Sequence, residues 1–184
     1  MTLLYEKFIV GDLGTNCYLL WDSETKEGVV IDPADSGVEI AQEIDQKKIK
    51  LTGILATHGH FDHLLGGLDL KLIFNAPFYC HEADLYLLKR QNRTANYFLK
   101  RKVAVPDFSK IDVDLGKLKH LNLDKEIIEI IPCPGHTPGS VCFYSKSAGW
   151  LFCGDIPTTD LPKLPKETLV LPGHEEGFEL GWIL

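Results

Sequence analysis

The chain has little of what a nucleic-acid or membrane protein needs. Lys and Arg number 19 against 26 Asp and Glu, a formal net charge of -7, whereas holding a phosphate backbone calls for clustered cations. The densest basic stretch, Leu99-Lys100-Arg101-Lys102, is short and reads as a solvated helical face. No apolar run reaches the roughly 20 residues that cross a bilayer, and Glu6 and Asp12 interrupt the first apolar stretch, which argues against a signal peptide. Neither nucleic acid nor membrane is therefore expected as a partner. The five cysteines (Cys17, Cys80, Cys133, Cys142 and Cys153) are odd in number and form no CxxC pair. Reduced thiols in a cytoplasmic protein explain that better than a disulfide framework does.

What is present fits one globular domain spanning residues 1–184. Two apolar runs, Leu3 to Val10 and Asn16 to Trp21, flank Gly11-Asp12-Leu13-Gly14 and predict a hairpin. Gly28 to Asp32 and Leu51 to Thr57 read as buried strands. Between them Val38, Ile40, Ala41 and Ile44 recur at helical spacing, with Ser36 expected as N-cap. A helix is expected from Leu64 to Phe74, a short strand at Phe78-Tyr79-Cys80, and one or two helices from Ala83 to Lys102. Strands return at Lys119 to Leu123, Glu126 to Ile131, Ser140 to Ser145, Trp150 to Cys153 and Thr168 to Leu171. Strand runs mixed with helices in both halves predict an α/β fold of two sheets covered by helices.

The chemistry is concentrated in histidines. In Thr57-His58-Gly59-His60-Phe61-Asp62-His63, four donors lie within six residues directly after an expected strand. Imidazole and carboxylate together suit Zn, Fe or Mn and leave positions open for water. His136 stands in Pro134-Gly135-His136-Thr137-Pro138-Gly139-Ser140, Asp155 follows Gly154 at a strand end, and His174 follows Pro172-Gly173. A lone histidine at a strand end is ordinarily a hydrogen-bonded surface residue, and His81 and His120, with no companion donor, are read that way. Five histidines in glycine-flanked loops at strand ends are read as metal ligands instead. Asp32, between a strand and Pro33, is expected to brace its turn, with orientation of a metal ligand as a second role open to it. Cys133 and Cys153 lie near expected ligands but are read as small core residues.

Taken in order from about Asn16 to His174, the H-x-H-x-D-H segment, the Pro-Gly-His-Thr-Pro-Gly-Ser turn, the Gly-Asp and the last Pro-Gly-His resemble the metallo-β-lactamase superfamily. Within it they are most similar to the glyoxalase II-type (hydroxyacylglutathione hydrolase-like) branch. The resemblance implies an αββα sandwich, two mixed β-sheets flanked by helices, with the site at one edge. By position it implies His58, His60 and His136 on one metal ion and Asp62, His63 and His174 on a second. Asp155 would bridge the two ions, and Asp62 would also orient the nucleophilic water. The implied cofactors are two divalent metal ions, zinc first, with iron or manganese as alternatives. The implied activity is a metallo-hydrolase whose dinuclear-metal-bound hydroxide cleaves a small thioester or ester. A thiolate leaves readily because its thiol has a pKa of about 8.5, whereas an amide nitrogen needs a proton donor that the sequence does not identify. Two alternatives stand beside this one: a mononuclear iron persulfide dioxygenase, and a catalytically impaired metal-binding module.

The chain departs from the glyoxalase II pattern in two places. The connection from Ile156 to Gly173 is shorter than in that branch and carries Pro157, Pro162 and Pro165, which discourage a helix. The expectation is an intact second metal site reached by a taut crossover; a distorted one is the alternative. Only ten residues follow His174, so the C-terminal helical domain that contacts glutathione is not expected. A homo-oligomer is expected to bury apolar surface that such covering elements would otherwise hide.

Overall fold

The computed structural model describes residues 3–103 and 108–183. Strands β1 (Leu3–Val10), β2 (Thr15–Asp22) and β3 (Glu27–Ile31) follow one another as an antiparallel meander. Helix α1 (Gly37–Gln46) then carries the chain back so that β4 (Lys50–Leu55) lies parallel to β3. Helix α2 (Gly67–Phe74) does the same for β5 (Phe78–Cys80), and two short helices, α3 (Leu85–Leu88) and α4 (Gln91–Phe98), precede β6 (Val113–Asp114). The result is a six-stranded mixed sheet in the order β1-β2-β3-β4-β5-β6.

The second half builds the other sheet from β7 (His120–Leu123), β8 (Glu126–Pro132), β9 (Val141–Ser145), β10 (Trp150–Gly154), β11 (Leu169–Pro172) and β12 (Phe178–Glu179). Its order is β12-β11-β10-β9-β8-β7, antiparallel except for the parallel pair β10–β11.

Every residue of β2 is buried, because both faces of that strand are covered. Cys17, Leu19 and Trp21 join Ile40, Ile44 and Leu70 of the helices, while Tyr18 and Leu20 point the other way, towards Ile130, Phe143 and Phe152 of the second sheet. This period of two is the strand alternation that lets one strand serve two cores. The outer face of the second sheet, with Cys142, Tyr144, Leu151 and Val170, packs under Ile156, Leu161, Leu164, Phe178 and Leu180. Its cover is the segment after β10 and the 3₁₀ turns Thr158–Asp160 and Leu180–Trp182, thinner than the α-helical layer opposite.

Several local expectations need correction. Ser36 does not cap α1 with its side chain; it takes a left-handed φ of 54° and its N–H donates to Asp35 Oδ1 at 2.6 Å. Helix α2 starts at Gly67 rather than Leu64 because the N–H groups of Leu65 and Gly66 donate to the carbonyls of Ala34 and Pro33. The stretch from Ala83 to Lys102 holds two helices, within the expectation, but the basic run begins beyond the end of α4, so it is not a helical face. Arg101 there forks onto Asp12 Oδ2 at 2.6 and 3.2 Å, tying this segment to the first hairpin. Strands β6 and β12, two residues each, carry no periodicity that the sequence could reveal. Among the described residues no helix is long and apolar enough to cross a membrane.

Candidate metal centre

All seven expected donors meet at one edge of the sandwich. They stand where the parallel strands end: His58, His60, Asp62 and His63 after β4, Asp155 after β10, and His174 after β11. His136 comes in from the β8–β9 turn. Open sheets gather sites at the carboxyl ends of strands because the loops there converge. Three groups of donor atoms lie within 4.8 Å of one another: His58, His60 and His136; Asp62, His63 and His174; and His58, His63 and Asp155. Asp155 faces both sides, with Oδ1 3.4 Å from His63 Nε2 and Oδ2 3.6 Å from Nε2 of both His136 and His174.

The short connection before β11 does not displace His174, because the first sheet holds its loop. The Asn16 N–H donates to the Gly173 carbonyl at 2.7 Å, Asn16 Nδ2 to the carbonyls of Pro172 and Glu175, and Tyr18 Oη to that of Pro172 at 2.7 Å. Gly173 has no room for a side chain: a Cβ there would stand 2.3 Å from Asp155 Oδ1 and 2.6 Å from His63 Cε1. His174 Nε2 accordingly reaches Asp62 Oδ2 at 3.5 Å.

Hydrogen bonding behind the cluster sets which ring nitrogens look inward. Asp32, buried at the end of β3, accepts from the Thr57 N–H with Oδ1, and with Oδ2 it faces Thr57 Oγ1 at 2.7 Å and His63 Nδ1 at 3.0 Å. The Thr57 hydroxyl spends its one hydrogen on Asp32. It must therefore accept from His58 Nδ1, 3.1 Å away. With both Nδ1 atoms engaged on the outer side, His58 and His63 turn Nε2 into the site. Asp32 thus orients one donor in each outer triad, the role that the sequence left second to turn bracing. Replacing Asp32 by asparagine is expected to weaken metal binding by about 10–100-fold, checked by competition with a chromophoric chelator.

The same tautomers supply the fit test for a metal. His63 Nε2 and Asp155 Oδ1 are both buried, neither has a hydrogen-bond partner, and they face one another at 3.4 Å. Two acceptors in that position need a cation between them. Burial opposes charge on His63, yet Asp32 and Asp155 outweigh it and lift its pKa to about 10; without a metal, a proton occupies this place. His58 is held well below the ordinary imidazole value by burial and by neighbouring histidines, and His60 is lowered by burial and His136, so both are neutral and ready to ligate. His58 Nε2 and His136 Nε2 each lie 3.0 Å from His60 Nδ1. The donor set fits a pair of divalent ions.

His81 and His120 stay outside the cluster. His81 Nδ1 accepts the Ala83 N–H at 3.1 Å as a local cap, and His120 pairs with Glu129 on the exposed face of β7. The sequence reading missed Asp84, which is fully buried and accepts from the Gly59 N–H at 2.9 Å, the Gly139 N–H at 2.8 Å and Thr137 Oγ1 at 2.6 Å. It joins the loops of His58–His60 and His136. Its position just after β5, at the edge where the other donors gather, was the available signal.

A two-sheet sandwich with a His/Asp cluster at its edge defines a class of metal-dependent proteins. The chain belongs to the metallo-beta-lactamase superfamily, whose family model matches residues 10–174. A hydroxyacylglutathione hydrolase, GloC of Haemophilus influenzae, is 32% identical over 84% of this chain and 75% of that protein. Among solved structures, BLEG-1 B3 metallo-beta-lactamase superposes with a TM-score of 0.84 at 26% identity, covering 97% of this chain and 95% of that one. TTHA1623, crystallised in a di-iron-bound form, gives 0.79 at 27% identity over 96% and 95%.

Proposed function

We propose that residues 1–184 act as one domain, a metal-dependent hydrolase that cleaves a small thioester or ester. The observation that carries this reading is the facing pair of unpartnered acceptors, His63 Nε2 and Asp155 Oδ1, inside a ring of five further donors. His58, His60 and His136 would hold one divalent ion, Asp62, His63 and His174 the other, and Asp155 would serve both, with zinc as the first expectation. Bound there, such ions polarise a carbonyl and make water acidic near neutral pH. The chain's own contribution is placement. Asp62 Oδ2 lies near Thr15 Oγ1 as well as His174 and His63, a position from which it would accept a hydrogen bond from the nucleophilic water and orient it. Asp32 and Thr57 keep the imidazole lone pairs turned inward throughout.

A cleft of about 290 Å³ opens beside Asp155 and His174 between Ile156, Leu161 and Phe178, room for a small acyl or thiol group. Its acidic side chains besides Asp155 are Glu175 and Glu176, the latter paired with Lys7 at 2.7 Å, and among the described residues no Lys or Arg lines the cleft itself. A carrier with two carboxylates, such as glutathione, is therefore disfavoured in this cleft, and a neutral thiol is favoured. GloC, named a hydroxyacylglutathione hydrolase, supports the thioester class. Buried free thiols at all five cysteines fit a reducing, cytoplasmic setting.

The test is elemental analysis of the purified protein followed by a thioester panel. Two metal ions per chain and faster turnover of neutral-thiol thioesters than of glutathione thioesters are expected. One iron per chain with oxygen uptake on glutathione persulfide would move the protein to the persulfide dioxygenases instead. Tight metal with no turnover of any ester or thioester would make it a binding module. Chelation should also lower the melting temperature. A ligand held at 100 times its Kd stabilises by about 2.7 kcal/mol, which for a chain of this size corresponds to roughly 5–10 °C.

A further inference from the structure

Two cysteines that the metal chemistry does not use lie against each other at the neck of the His136 turn. Cys142 Sγ is 3.2 Å from Cys133 Sγ, closer than two sulfurs in simple van der Waals contact prefer. The closeness follows from the sheet. Ile131 of β8 pairs with Cys142 of β9, and the Cys133 N–H donates to the Ser140 carbonyl at 2.9 Å, so the two thiols project diagonally from the same face of one hairpin. Between them the chain makes the turn that carries His136. Cys142 is fully buried, whereas Cys133 is 9% exposed. Above them lies the thin outer cover that includes Ile156, Leu161 and Leu164, on a proline-broken segment with no α-helix among its described residues.

We propose that Cys133 and Cys142 form a reversible oxidation site, closing to a disulfide when a peroxide reaches Cys133. The Cys133 sulfur attacks one peroxide oxygen, the O–O bond breaks, and water leaves with the thiol proton, giving the sulfenic acid. The Cys142 sulfur then attacks Cys133, the S–O bond breaks, and the oxygen departs as a second water with the Cys142 proton. The two thiols are oxidised to one disulfide and one hydrogen peroxide is reduced to two waters. The roles follow from access: Cys133, the less deeply buried residue of the two, meets the peroxide first, and Cys142 resolves. The hydrogen bond from Cys142 also favours the thiolate on Cys133 and keeps the proton on Cys142, so Cys133 is the first of the two to react.

Bond formation shortens the sulfur separation by about 1 Å across the neck of the turn, and His136 moves with it. This second consequence rests on the metal-centre reading above; the disulfide itself does not. Oxidation is expected to weaken metal retention by roughly tenfold, the lower end of what disturbed ligand support produces.

The experiment treats the metal-loaded protein with stoichiometric hydrogen peroxide, alkylates it under denaturing conditions, and maps the peptides by mass spectrometry. A Cys133–Cys142 cross-link, two hydrogens lighter and restored by dithiothreitol, is expected. In Cys142→Ser, Cys133 should accumulate as a sulfenic acid trapped by dimedone. Full alkylation of both thiols after peroxide, or a cross-link to Cys153 instead, would overturn the proposal whatever the metal content. Metal loss to a chelator, compared between oxidised and reduced protein, reads the coupling; equal loss rates would overturn that part.

Discussion

Asp155→Asn is expected to abolish stable occupancy of at least one of the two metal positions and to lower hydrolysis by more than about 100-fold. The reasoning is electrostatic. Oδ1 and Oδ2 of Asp155 face His63, His136 and His174 within 3.6 Å, so this one carboxylate touches donors of both outer triads. Asp155 is held below the ordinary carboxylate range; burial pushes it up, but His63, followed by His174 and His136, outweighs burial and keeps it anionic. An asparagine keeps the shape and removes the negative charge that would help to offset a bound pair of cations. It also turns an amide N–H₂ towards imidazole nitrogens whose lone pairs must stay free to ligate a metal. Changes behind a ligand already cost about 10–100-fold, and Asp155 is placed as a ligand itself. Metal content by elemental analysis, far-UV circular dichroism and the hydrolysis rate measured together decide the matter. Retained secondary structure with lost metal is expected; unchanged metal stoichiometry would remove Asp155 from the centre.

Much of this centre was legible in the sequence because its donors sit next to chain-reversing residues. Gly59, Gly135, Gly154 and Gly173 mark the loops at strand ends, and each has a donor as its immediate neighbour in sequence. The strands were legible for a related reason: β2, β8, β9 and β10 are long enough to show apolar alternation or a continuous buried run. The illegible parts depend on tertiary contact. The start of α2 is set by carbonyls of Pro33 and Ala34, far away in sequence. Strand β12 forms through its pairing with β11, and β6 through its pairing with β5. The placement of His174 was undetermined from its own segment, since Asn16 and Tyr18, more than 150 positions earlier, supply the hydrogen bonds that seat it. Asp32 was visible as a residue of interest, but its control of two imidazole tautomers runs through Thr57 and needs the geometry.

Asp84 was the least visible of all, and its removal should have the largest structural effect of the substitutions considered. Glu82-Ala83-Asp84 in sequence looks like the acidic start of a helix, and such a carboxylate is normally exposed. Here it is fully buried and takes three hydrogen bonds from two different loops. Because the Thr137 hydroxyl donates to Asp84, its oxygen is left to accept from Ser140 Oγ at 2.8 Å, and Ser140 Oγ in turn accepts the Thr137 N–H at 3.0 Å. One carboxylate therefore fixes the whole His136 turn against the His58–His60 loop. The packing leaves no slack: a Cβ on Gly139 would stand 2.7 Å from Asp84 Cγ. Asp84→Ala would leave three buried donors without an acceptor, at about 1–3 kcal/mol each. A net loss of roughly 3 kcal/mol or more is expected, a fall in melting temperature of about 6–12 °C. Asp84→Asn discriminates between lost packing and lost acceptors. Its oxygen can serve the Gly59 and Thr137 side, but its N–H₂ then confronts the Gly139 N–H. The isosteric variant should consequently lose most of the stability that alanine loses and should bind the ion of the His58, His60 and His136 triad more weakly than that of the Asp62, His63 and His174 triad. A melting temperature for Asp84→Asn within a degree or two of the parent would show that the two loops are held by packing rather than by this carboxylate.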